Sequence, residues 1–120
     1  MSIRALRGAV QLTVDSKEEM NREVPALLQE MLESNGLSEA DLVSVLFTVT
    51  PDLTSQFPAA AARTMGWSDI PLMCAVEIDV TGALERIIRV LMHVESGKSK
   101  GEIAHIYLHG ATALRKDLAQ

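Results

Sequence analysis

Cysteine is almost missing from this 120-residue sequence, where Cys74 stands alone. A lone thiol excludes an intrachain disulfide and cannot by itself build a cysteine-rich metal site, so packing must hold the fold. Aromatic residues make up only 3%, the formal net charge is −5, and the eleven basic residues are scattered. The electrostatic footprint of a nucleic-acid binder is therefore missing, and no such partner is expected. No apolar run nears the ~18 residues of a membrane span. Arg4 and Arg7 also break the N-terminal apolar stretch that a signal peptide would need intact. A membrane partner is not expected, and a cytoplasmic location is. The sequence further lacks a phosphate-cradling glycine loop, a Gly-x-Ser-x-Gly elbow and a paired-cysteine motif.

What is present suits one folded domain over residues 1–120, 48% hydrophobic and 22% charged. Ile3 to Leu12 alternate in polarity and read as a strand. Ser16 with Glu19 predicts a capping box. The helical spacing of Met20, Val24, Leu27, Leu28, Met31 and Leu32 then predicts an amphipathic helix that stops at Asn35-Gly36. Pro25 lies inside that helix and predicts a kink or a start later than the cap. Leu42 to Val49 reads as a strand buried on both faces, and Pro58 opens a short helix that ends by Gly66. Leu72 to Ile78, Ile87 to Val94 and Ile103 to Leu108 read as three more strands, with a turn at Asp79-Val80-Thr81-Gly82. The fold class is α+β, a mixed five-stranded sheet with helices on one face. Its other face needs a different cover.

Charges in mid-strand define that second face. In the fourth strand Ile88, Val90, Met92 and Val94 make an apolar face, while Ile87, Arg89, Leu91 and His93 make the other. Arg7 lies between Ala5 and Ala9, Glu77 follows Met73 and Ala75, and His105, Tyr107 and His109 share one side of the last strand. Four strands thus bring polar groups into one layer. Pattern alone favours structural ion pairs or solvated strand residues for Arg7, Glu77 and Arg89, since a buried arginine must in any case find partners. Tyr107 alone fits ordinary sheet packing, and Cys74 an inert buried thiol. The three histidines have no recognised metal spacing.

Taken in order, the segments are more telling. Ile3-Arg4-Ala5-Leu6-Arg7-Gly8-Ala9, Thr50-Pro51-Asp52-Leu53, Phe57-Pro58-Ala59, the run from Cys74 to Gly82, Ile88-Arg89-Val90, His105-Ile106-Tyr107-Leu108 and Leu114-Arg115 followed by Asp117-Leu118 together resemble the small monofunctional chorismate mutases. The resemblance covers nearly the whole chain. It implies a homotrimer in which sheets of three copies form a pseudo-α/β barrel, with an active site in each cleft between neighbours. It also implies an isomerase that rearranges chorismate to prephenate on the shikimate-derived route to phenylalanine and tyrosine. That reaction is unimolecular and needs neither cofactor, metal nor covalent intermediate.

By that resemblance Arg89 and Glu77 are the catalytic pair. Arg89 faces the ether oxygen, and Glu77 accepts from the ring hydroxyl with Cys74 beside it. Arg7 and Tyr107 hold the carboxylate and pyruvyl side, while Phe57, Arg63, Leu114 and Arg115 complete and close the cleft from a neighbour or from the C-terminal end. Four arginines would make such a site locally positive despite the net charge. The sequence departs from its relatives at Ala60, where a lysine is common, at Met73 and at Lys116. Two rival readings share the architecture. One is a non-enzymatic binder of small carboxylates, which would need arginines but no facing glutamate. The other is an imine deaminase, whose motifs are not evident.

Overall fold

Alternating polarity makes Ser2–Gln11 strand β1, with Leu6 and Val10 in the core and Arg7 on the opposite face. The computed structural model describes residues 1–114. Ser16 caps helix α1 (Lys17–Glu33), its side chain accepting from the Glu19 N–H at 3.1 Å. The reciprocal half of the predicted box does not form. Glu19 reaches further back instead, accepting from the Thr13 N–H at 2.7 Å, the Thr13 hydroxyl at 2.8 Å and the Val14 N–H at 3.0 Å. This carboxylate fixes the turn from β1 into α1.

Pro25 does not delay the helix, which begins at its cap and runs through the proline uninterrupted. An interior proline costs about 3 kcal/mol. Met20 and Val24 before it, and Leu27, Leu28 and Met31 after it, are all fully buried, and at roughly 1.5–3 kcal/mol for each such side chain they outweigh that cost. The helix lies close against β1 because Gly8 has no side chain. A Cβ there would fall 2.5 Å from the Met31 sulfur.

Strand β2 (Leu42–Val49) follows a single turn of 3₁₀ helix, and Pro58 occupies the first turn of α2 (Pro58–Arg63). Strands β3 (Leu72–Val76), β4 (Ile87–Ser96) and β5 (Ile106–Leu108) complete a five-stranded mixed sheet in the order β3-β2-β4-β1-β5. The pairs β1–β4 and β2–β4 are antiparallel, while β1–β5 and β2–β3 are parallel. Both helices pack on the face that carries Leu6, Val45, Phe47, Ile88, Val90 and Met92.

The structure also corrects the sequence reading of the strands. β2 is buried on one face only: Val45, Phe47 and Val49 are buried, while Ser44, Leu46 and Thr48 are half-buried on the other side. β3 stops at Val76 rather than Ile78, where the chain turns into the loop that Gly82 closes with a φ of 86°. β5 begins at Ile106 rather than Ile103, because the Ala104 backbone is taken up elsewhere. The buried Asn35 accepts from the Ala104 N–H at 2.8 Å and donates to the Ala104 carbonyl at 2.9 Å, while also donating to the Met31 carbonyl at 2.7 Å. The helix terminus thereby sets where β5 starts.

Burial alone would raise the Glu19 carboxyl, but the Thr13 and Val14 hydrogen bonds and the nearby Arg22 guanidinium together hold its pKa below the usual value of 4.5. A carboxyl depressed in the folded state contributes stability that is full above its unfolded pKa and is lost as pH falls through its folded one. Glu19→Ala is therefore expected to cost about 2 kcal/mol at neutral pH, read as a lower urea midpoint. The gap to the wild type should narrow as pH falls below the unfolded value.

Candidate active site

Strand β4 carries the centre of the site. Its Ile88, Val90, Met92 and Val94 are buried under the helices, so alternation sends Arg89, Leu91 and His93 to the face the helices leave open. There the Arg89 Nε lies 2.9 Å from the Glu77 Oε1, with the arginine side chain 46% exposed and the glutamate 18%. Glu77 is the residue just past β3, fixed by its N–H donating to the Val49 carbonyl at 2.9 Å. The arginine has the partner that its position required, and it remains open to a ligand.

Register places the neighbours. Thr48, Arg89, Ala9 and Tyr107 stand side by side across β2, β4, β1 and β5. Ala9 is small, so a trough separates Arg89 from Tyr107, whose strand lies two spacings away, about 10 Å. Tyr107 and Leu114 pack with Ala9, Ile87 and Ala111 in a small second cluster that closes one end of this face. Arg7 lies one step along, opposite Leu91. With Leu91, His93, Lys100 and His105 it lines a depression of about 420 Å³. The Arg7 N–H donates to the His105 Nδ1 at 3.0 Å. Arg89, Glu77, Arg7, Tyr107 and Leu114 thus share one face.

Other predicted residues lie elsewhere in the chain. Phe57, 71% exposed, precedes α2, and Arg63 is exposed in the last turn of α2, both in the helix layer. Cys74 lies within β3, three positions before Glu77. Its register partner is Phe47, and it packs against the main core on the helix side of β3. Alternation sends positions three apart on a strand to opposite faces. Cys74 and Phe57 instead line a groove of about 620 Å³ together with Lys17, Leu53, Ala60 and Val76. Met73 lies exposed on the other side of β3. Arg115 and Lys116 fall outside the described residues.

Two contributors escaped the sequence reading. Asn35 looked only like a helix stop, and its tie to Ala104 depends on a long-range approach that no local pattern encodes. Thr48 is a mid-strand threonine in an apolar run, which was the available signal, but its place beside Arg89 follows from strand order.

Fold and site together define a one-sheet α+β protein with a cationic, glutamate-bearing layer on its uncovered face, suited to a small anionic ligand. The sequence model of the chorismate mutase type I family matches residues 3–118. Chorismate mutase AroH of Thermus thermophilus is 44% identical over 117 residues, covering 97% of this chain and 96% of that protein. Chorismate mutase AroH of Bacillus subtilis is 40% identical over 120 residues, covering 99% and 94% respectively. A solved structure of a chorismate mutase from Clostridium thermocellum superposes with a TM-score of 0.88 at 51% identity, covering 91% of this chain and 97% of that one. The chain therefore belongs to the chorismate mutase type I family, and it is an isomerase.

Proposed function

We propose that this protein rearranges chorismate to prephenate in the cytoplasm, in clefts that three copies of the chain share. The observation that carries the reading is the Arg89–Glu77 pair, held at 2.9 Å yet half open on an uncovered sheet face.

In this rearrangement the ether carbon–oxygen bond breaks as a carbon–carbon bond forms within one molecule, so the enzyme has to hold a conformation and answer a shift of charge. Negative charge gathers on the departing oxygen while the ring becomes electron-poor. Fixed donors aimed at that oxygen favour the transition state over the substrate. A guanidinium has five N–H donors. Arg89 can therefore direct more than one of them at the ether oxygen. Glu77 accepts from the ring hydroxyl and faces the electron-poor ring. Arg7 and Tyr107, on the same face, hold the carboxylate and pyruvyl side, and clamping both ends favours the reactive geometry.

Sharing of clefts accounts for the residues that one chain keeps apart. Phe57, Arg63 and Cys74 lie on the helix side of the β3 edge, whereas Arg89, Glu77, Arg7 and Tyr107 lie on the open face. Met73, Val76 and Ile78 are apolar and more than half exposed at that edge, as befits an edge that a second chain covers. A neighbour docked by this edge brings Phe57 and Arg63 to the open face, and Leu114 then closes the cleft.

Purified protein given chorismate alone is expected to consume its diene absorbance well above the uncatalysed rate. No loss above background would overturn the reading. Arg89→Lys should fold and keep its mass in solution while losing at least ~2.7 kcal/mol of transition-state stabilisation, about a hundredfold in kcat. A kcat that barely changed would remove Arg89 from the proposed role.

Shared clefts make a separate prediction. Arg89→Ala and Arg63→Ala should each be nearly inactive alone. Co-refolded in equal amounts they should regain activity, because roughly a quarter of the clefts in random trimers would draw both intact arginines from different copies. Absence of recovery in mixed oligomers of trimer mass would refute a cleft divided in this way.

A further inference from the structure

Thr48 stands directly across from Arg89 on the neighbouring strand, with Ala75 on its other side. Directly opposite residues on one sheet face have Cβ atoms about 5 Å apart. The hydroxyl oxygen of Thr48 is shut off from solvent and has no hydrogen-bond partner among the described residues. An unpartnered buried hydroxyl is a cost that a valine of the same shape would avoid. β2 is otherwise rich in such residues, with Val43, Val45 and Val49. A hydroxyl is therefore present where sheet packing alone gains nothing from it.

The pair beside it supplies a reason. Glu77 holds the Arg89 Nε at 2.9 Å. In the reaction proposed above the same carboxylate must also accept from the ring hydroxyl, and each new bond it makes loosens its hold on the guanidinium. Arginine has no acceptor of its own, and its planar fork is well aimed only while something fixes its plane. We infer that Thr48 is a positioning residue for Arg89: its hydroxyl accepts from a guanidinium N–H when the ligand draws Glu77 away. A neutral acceptor suits this task better than a second carboxylate. It fixes the plane of the guanidinium without neutralising the charge that must meet the developing oxyanion. The inference rests on the reading of Arg89 as the donor to the breaking bond.

Thr48→Val and Thr48→Ser, made in the full chain, test it with chorismate as the probe. Thr48→Val is expected to lower kcat about tenfold, equivalent to ~1.4 kcal/mol. KM should stay within about twofold, the mass in solution should be unchanged, and the melting temperature should be no lower than that of the wild type. Thr48→Ser keeps the hydroxyl and should restore kcat to within about threefold. In an Arg89→Lys background the valine should have little further effect, because Thr48 acts through the guanidinium.

The inference falls if the valine variant keeps wild-type kcat, if serine is as impaired as valine, or if valine lowers the melting temperature or changes the oligomer mass. The last result would make the hydroxyl a structural contact. Arg89→Lys separates this failure from a failure of the underlying reading. If that variant alone retains full kcat, the role of Arg89 is wrong; if it is crippled while Thr48→Val is not, only Thr48 is misassigned.

Discussion

The structure depends on a one-sided burial. Two helices serve a sheet of five strands, and both lie on the same face. Leu6, Phe47, Ile88, Val90 and Met92 are spent beneath them, and because side chains alternate along a strand, every residue between those is committed to the opposite face. Arg7, Thr48 and Arg89 are where they are for that reason. Among the described residues one end of the second face is covered, by Ala111 of the turn His109–Ala113 and by Leu114 just past it. That turn is tied to α1 through His109 Nε2 and Glu23 Oε1 at 2.9 Å. Among the described residues the rest of that face stays open.

Periodicity made most of this legible. The 3.6-residue spacing of α1 and the alternation in β1 and β4 reflect burial directly, and there the sequence reading needed little change. It failed where one long-range contact overrode local preference. Pro25 argued for a broken helix, but buried leucines and methionines on both sides hold it whole. Ile103 argued for a longer last strand, but Asn35 claims the backbone of Ala104, so no ladder forms there. β2 reads as apolar throughout, but its neighbours bury only one of its faces.

The site was legible in part for the same reasons. Alternation placed Arg89, Glu77 and Arg7 in one layer, and the resemblance supplied roles that pattern alone did not favour. Alternation also separates Cys74 from Glu77, whereas the resemblance set them side by side. Within one chain the residues fall into two groups, on either side of the exposed β3 edge. Strand order, which puts Thr48 beside Arg89, is fixed by pairings between distant segments and leaves no mark in any short window of sequence.

Stability does not account for what lies at the centre. An ion pair whose arginine is 46% exposed is worth about 0–1 kcal/mol once solvent screening is allowed for. A β-branched apolar pair at those positions would suit the sheet as well. Beside it sits a hydroxyl whose oxygen is buried without a partner, which works against the folded state. At many other points local choice and global fold agree: the cap on α1, the proline opening α2, the glycine under Met31. Natural sequences break such agreement mainly where function requires it. Pro25 inside α1 and the unpartnered Ser55 Oγ are departures in other parts of the fold, but two fall side by side on adjacent strands of one face, at Thr48 and Arg89. A weak pair is also what the proposed site needs, since in that reading chorismate competes with Glu77 for the guanidinium, and a dry, strong ion pair would not yield it. The exposure that makes Arg89 poor for stability is what leaves it open to a ligand.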